Sequence, residues 1–342
     1  MSKKNSKPLW ITAIVLVAIV TFIIYQNRKG QDQTPAAQSV GGQSVIIAYQ
    51  TGVDPSKVAQ ANGDYEKDSK QHIQWKKFDA GSDVVNALAS GDVVIGNIGS
   101  SPLAAAASRN VPIEVFLITA KLGGSEAFVV SQKSNIQSPQ DLIGKTIAVP
   151  FVSTTHYSLL SALKHWGISE NQVKIINLRP PEIAAAWERG DIDATYVWEP
   201  ALSKAKATGK VLTDSKQVGE WGAPTYDLWV VRKDFAEKNP DFIKSFVKTT
   251  LKQIDAYQQN PQAFVQDQAN IDKIAKLTGS YPKDIPLLLS GNDYLNLEQQ
   301  QKTLSGEFAK NIFDTATFLK SQGKVDQVKA SYAENVTTAF LQ

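Results

Sequence analysis

From Val45 onward the sequence alternates short apolar runs with stretches of helical spacing, breaks off, and then begins the same alternation again. Little constrains a fold more, because strands separated by helices must be joined by crossovers, which build a mostly parallel sheet covered by helices. Val45 to Gln50, Ile73 to Phe78, Val93 to Ile98 and Ile113 to Ala120 read as strands, with helices over Val84 to Ala89 and Leu103 to Ser108. The second series comprises Thr146 to Val149, a helix from about Thr155 to Trp166, Val173 to Leu178, a helix from about Glu182 to Arg189, and Ile192 to Trp198. After Trp229 to Val231 the strand signals fade. From Pro240 to the end, apolar positions such as Phe242, Phe246, Leu251 and Ile254 recur at helical spacing. The expectation is two α/β lobes with a helical tail packed on one of them.

Two internal echoes relate the lobes. Ala87 to Val93 and Ala186 to Ile192 each give a helix end, a Gly suited to the left-handed stop, an Asp and a new strand. Glu126 to Val130 and Asp227 to Val231 each place an acid before an apolar residue, an aromatic and two valines. If the chain leaves the first lobe along one segment and returns along the other, the two acids begin neighbouring crossover strands in a cleft.

The N-terminal 29 residues read as a signal peptide or membrane anchor: three lysines, then an uncharged apolar run of 17 residues from Leu9 to Tyr25, then Arg28 and Lys29. Residues 30–43, polar and rich in Gln, Gly and Ser, read as a flexible linker. Lys3, Lys4, Lys7, Arg28 and Lys29 exceed the whole formal charge of +3, so the body is slightly acidic and a nucleic-acid surface is disfavoured. With no cysteine there is no disulfide, thiolate metal site or cysteine nucleophile.

Two stretches suit anions. Gly99-Ser100-Ser101-Pro102 follows a buried strand and opens a helix, and Ser153-Thr154-Thr155-His156 does the same in the second lobe, so unpaired N–H groups and hydroxyls face outward from the carboxyl ends of strands. Facing each other across a cleft, they would clamp a sulfonate, sulfate, phosphate or carboxylate. Gly144-Lys145-Thr146 is no phosphate loop, because it precedes a strand and lacks the upstream glycine. His72, His156 and His165 show no metal-ligand spacing. A hydrolase or transferase using His156 as base with Asp227 lacks an accompanying nucleophile. Trp198 ends a strand ahead of Pro200, where ligands of α/β sheets bind.

These segments, with Gly96 to Pro102, Val111 to Phe116, Ile147 to Pro150, Tyr196 to Trp198, Gly222 to Thr225 and Gly323 to Val325, resemble the taurine-binding subunits of bacterial ABC importers, within the nitrate, sulfonate and taurine group. The resemblance spans about Val45 to Gln342. It implies a type II periplasmic binding-protein fold, an α/β architecture of two lobes joined by two crossover strands with a ligand cleft between them. The lobes would be residues 44–125 with 226–342, and 126–225. It further implies a non-enzymatic, monomeric, periplasmic subunit that needs no cofactor or metal, closes on taurine or a related aminosulfonate, and docks on a permease coupled to an ATPase. Alkanesulfonates or sulfate esters are the alternative ligands. On that reading Ser100, Ser101, Thr154 and Thr155 would bind the sulfonate with help from Gln50, Glu126 and Asp227 would face the ammonium, and His156 and Trp198 would complete the site. Glu199 stands where close relatives often have a small residue, placing an extra acid beside Trp198. The family's signal peptides are cleaved; this apolar run could also stay as an anchor.

Overall fold

The structure, a computed structural model, describes residues 44–342. The apolar run and the linker lie outside the described residues. The first half of lobe 1 runs β1 (Val45–Tyr49), α1 (Lys57–Asn62), α2 (Asp64–Ser69), β2 (Ile73–Lys77), α3 (Gly81–Ser90), β3 (Ile95–Gly99), α4 (Ser100–Ser108) and β4 (Ile113–Lys121). Then follow β5 (Ala127–Ser131), β6 (Thr146–Val149), α5 (Thr154–His165), β7 (Lys174–Asn177), α6 (Pro180–Arg189), β8 (Ala194–Val197), α7 (Ala201–Thr208), β9 (Gly209–Asp214) and α8 (Ser215–Glu220). The chain returns through β10 (Tyr226–Arg232) and ends in α9 (Lys233–Lys238), α10 (Pro240–Gln259), α11 (Pro261–Gln266), α12 (Gln268–Thr278), α13 (Ile285–Ser290), α14 (Leu297–Ser305) and α15 (Phe308–Ser321).

Two five-stranded sheets result, ordered β2-β1-β3-β10-β4 and β7-β6-β8-β5-β9. In each, the three strands at one end are parallel and one antiparallel strand, β10 or β5, is inserted beside the last. The parallel strands β3 and β8 are buried along their whole lengths, as strands covered on both faces must be. A large apolar core runs through lobe 1 and into the helices flanking the cleft, and a second, around Phe128, Leu159 and Tyr196, fills the other face of sheet 2. The helix-ending glycines of the first echo are both left-handed, Gly91 at φ 87° and Gly190 at φ 79°.

The second echo has another meaning than expected. Glu126 precedes β5 in sheet 2, whereas Asp227 lies in β10 of sheet 1, so the two acids do not begin neighbouring strands. Each is instead at the first strand after a passage between sheets, which makes β5 and β10 equivalent antiparallel strands. The two passages meet where Leu122 N donates to Thr225 O at 2.9 Å. A loop of the helical tail straps them: Asn292 Oδ1 accepts from Gly123 N at 3.0 Å and Ser125 Oγ at 2.6 Å, and Gly124 N donates to Gly291 O at 2.8 Å.

Candidate ligand-binding site

The carboxyl ends of the two sheets face each other across a small cavity of about 40 Å³. Lobe 1 contributes Gln50, Gly52 and Val53 after β1, Gly81 at the start of α3, Gly99 and Pro102 at the β3–α4 junction, and Asp227. From lobe 2 come Glu126, Ser153 and Thr154 at the start of α5, and Trp198 and Glu199 after β8; Leu122, Ser125 and Asn292 form the hinge-side wall.

Three helices therefore start at this cavity. Neither α3 nor α4 has a side chain capping its first turn, and Ser101 Oγ is buried without a partner, so the first N–H groups of α3 and α4 remain for an anion. The start of α5 is capped by Ser153 Oγ, which accepts from His156 N at 3.1 Å.

The acids give the site its opposite character. Burial pushes the Glu126 carboxyl up to about 8; the Thr154 hydroxyl, donating at 2.5 Å, and Ser215 oppose this, while the charge on Asp227 adds to it. Burial likewise pushes Asp227 up to about 7, with Lys57 pulling it down and Asp54 pushing it up. Glu199 is raised by burial against hydrogen bonds from Ser203. Among the described residues no lysine, arginine or histidine lines the cavity, so the buried carboxyls of Glu126 and Glu199 and the half-buried Asp227 share it with two uncapped helix starts.

The lobes are closed on each other. A Cβ built on Gly99 would lie 2.5 Å from Thr154 Cγ2 across the cleft. Thr51 Oγ1 donates to Glu199 O at 2.7 Å. At the mouth, the Arg179 guanidinium before α6 grips both oxygens of Asp83 on α3, at 3.0 and 3.1 Å.

Of the residues expected from sequence, Gln50, Glu126, Thr154, Trp198 and Asp227 line the cavity, while Ser100, Ser101, Thr155 and His156 do not. Gln50 Nε2 donates to Asn97 O at 3.0 Å, so one of its two N–H groups is already engaged by the framework. Ser100 Oγ accepts from Tyr226 N at 3.2 Å. Thr155 Oγ1 lies 2.8 Å from Ser153 Oγ, within the cap of α5. His156 stacks on Phe151, its Nδ1 accepts from Val152 N, and burial, followed by the Lys324 charge, holds it down at about 4. His156 thus does not join Asp227 in the cavity lining. Sequence reasoning missed Gly52, Val53, Gly81, Leu122, Ser125 and Asn292; only Gly81, which opens a helix after strand β2, carried the strand-to-helix signal used elsewhere.

Residues 43–276 match the family described as the substrate binding domain of the ABC-type glycine betaine transport system. The chain belongs to this substrate-binding family. Within it, the taurine-binding periplasmic protein of Escherichia coli (strain K12) is 54% identical over 96% of this chain and 98% of its own length. A putative aliphatic sulfonates-binding protein of Bacillus subtilis (strain 168) is 27% identical over 96% of this chain and 95% of its own. The fold is shared with the alkanesulfonate-binding protein SsuA from Xanthomonas axonopodis pv. citri bound to MOPS, with a TM-score of 0.71, 20% identity and coverage of 84% and 96% of the two chains. This substrate-binding protein thus has the two-lobed architecture of periplasmic binding proteins and is a solute-binding component of ABC transport.

Proposed function

We propose that the protein captures taurine, 2-aminoethanesulfonate, in the periplasm and delivers it to a membrane permease and its ATPase for sulfur acquisition. The observation that carries this is the pairing of uncapped helix starts with buried carboxyls in a cavity that no cationic side chain among the described residues lines. Buried acids without a partner are costly, so a ligand supplying a cation as well as an anion fits better than a plain alkanesulfonate, which leaves them unpaired. The 54% identical relative is named for taurine. Binding without chemistry is expected, since the one lobe 2 histidine near the cleft is buried away from the cavity. Residues 44–125 with 226–342, and 126–225, would move as two bodies about the strapped passages, and the apolar N-terminal run would export a monomeric body.

A calorimetric and thermal-shift screen of taurine, β-alanine, ethanesulfonate and sulfate tests the reading, because a ligand held by the folded state raises its melting temperature. Taurine should bind tightest. Ethanesulfonate binding as tightly as taurine would transfer the assignment to alkanesulfonates, and turnover of a bound candidate would make the protein an enzyme.

The raised carboxyls add a pH signature. Burial in the closed cleft favours their neutral form below about pH 7, and an ammonium favours their ionised form, so taurine binding should expel protons. Asp227 one unit below its value of about 7 is about nine-tenths neutral, so taurine affinity should rise about tenfold between pH 6 and pH 8. Ethanesulfonate, repelled by ionised acids, should weaken over the same range. Calorimetry in buffers of different ionisation enthalpy reads both the slope and the proton count; a flat taurine profile with no proton release would rule out ligand-coupled titration of these acids.

A further inference from the structure

Behind Asp227 lies a second, fully buried charge system. Lys57 Nζ sits 3.3 Å from Asp54 Oδ2, with the two side chains 1% and 7% exposed. Ser56 N donates to the other oxygen, Asp54 Oδ1, at 2.8 Å, and so does Ser56 Oγ. The ammonium also lies 5.7 Å from the ring centre of Tyr49 and 6.0 Å from that of Trp229. Trp229 is two residues beyond Asp227 on β10, on the same face of the strand by the two-residue alternation. The same loop passes close to Asp227, since a Cβ on Gly52 would be 3.1 Å from Asp227 Oδ2. Gly52 and Val53 of this loop thus line the cavity together with Asp227, and the Asp54–Lys57 pair follows directly after them.

Stability alone does not account for such a pair, because a buried ion pair is often no better for folding than apolar side chains of similar size. Its position does. The charged or titratable groups facing Asp227 are Asp54 and Lys57 from this loop, Glu126 from lobe 2 and the Tyr294 hydroxyl from the tail. Lys57 is the one cation among them. We propose that Lys57 and Asp54 are positioning residues that set the charge on Asp227: Lys57 keeps the acid ionisable in its half-buried site, and Asp54 keeps Lys57 from becoming the acid's own counter-ion in place of the ligand. The inference rests on the aminosulfonate reading. Without Lys57, Asp227 would face two other acids and no cation. Without Asp54, Lys57 would be left with Asp227 as the acid beside it, and the ligand's ammonium would meet a neutralised site.

The two halves of the pair should act with opposite sign. Taurine and ethanesulfonate affinities are measured by calorimetry from pH 5.5 to 8.5 in the parent, Lys57→Met, Asp54→Asn and the conservative Lys57→Arg. Lys57 draws the Asp227 carboxyl down and Asp54 pushes it up, so the midpoint of the taurine profile should move up in Lys57→Met and down in Asp54→Asn. At pH 8, Asp54→Asn should narrow the taurine to ethanesulfonate ratio about tenfold, and Lys57→Arg should stay close to the parent. Midpoints that stay put, or move in the same direction, or both ligands weakening in parallel in folded variants, would overturn the proposal. Should Lys57→Met not fold, the Asp54→Asn midpoint and ratio decide alone. A parent that fails to prefer taurine refutes the underlying reading, whereas a parent that prefers it while the variants' midpoints stay fixed refutes only this inference.

Discussion

Replacing Gly99 with alanine is expected to cut ligand affinity by about ten- to a hundredfold while leaving the empty protein's melting temperature near that of the parent. The backbone there is extended, at φ −80° and ψ 165°, which alanine adopts freely. Within lobe 1 the atom nearest the added methyl is Pro102 Cδ, at an ordinary 3.6 Å, but across the cleft it would lie 2.5 Å from Thr154 Cγ2. Overpacking of this kind costs about 1–3 kcal/mol, and here it is incurred only when the lobes close, so it appears in the ligand-bound population and not in the fold. Thr154→Ser removes the offending methyl and keeps the hydroxyl that donates to Glu126. The double variant should therefore regain most of the lost affinity. If Gly99→Ala melted far lower without ligand, or if the serine failed to restore binding, the glycine would serve packing inside lobe 1 instead of closure.

Asp227→Asn should weaken taurine at pH 8 by about ten- to a hundredfold, the loss of one charge-assisted hydrogen bond of about 1.5–3 kcal/mol in a desolvated cleft. Ethanesulfonate should lose little or gain, because it offers no ammonium and the substitution removes a repulsive charge. The ratio of the two affinities is the quantity to follow, since general damage lowers both together. Equal weakening of the two sulfonates would make the acid structural and remove the main support for an aminosulfonate.

The rhythm of the fold was legible because its signals are local. Apolar runs such as Val93 to Ile98 and glycine stops such as Gly91 and Gly190 announce themselves within a few residues. What escaped was pairing and direction. β9 shows little apolar pattern because it covers β5 at the sheet edge with most of its side chains partly or fully exposed. Glu126 and Asp227 were read as neighbours because equivalent strands after equivalent passages carry similar sequences, and sequence similarity does not say which sheet each joins. At the start of α5 the residue types were visible but not their directions: successive side chains on a helix turn by about 100°, so Thr154 faces the cavity while Thr155 and His156 turn elsewhere. Asn292 and Gly52 were illegible for another reason, as nothing in a local pattern says which loop returns to the hinge or wraps an acid.

The place of β10 also bears on how the chain assembles. Sheet 2 is drawn from one continuous stretch, Ala127 to Asp214, whereas sheet 1 needs β10 inserted between β3 and β4, from a segment more than a hundred residues beyond β4. Closing so long a loop is entropically unfavourable until something has already folded inside it. Lobe 2 is that something: once formed, it brings Leu122 and Thr225 side by side and shortens the effective loop to a few residues. The sheet order thus ties the completion of sheet 1 to the long connection that lobe 2 spans. A chain whose synthesis has not passed Arg232 has no strand to fill the gap between β3 and β4, and so stays incomplete for as long as its second half is still arriving.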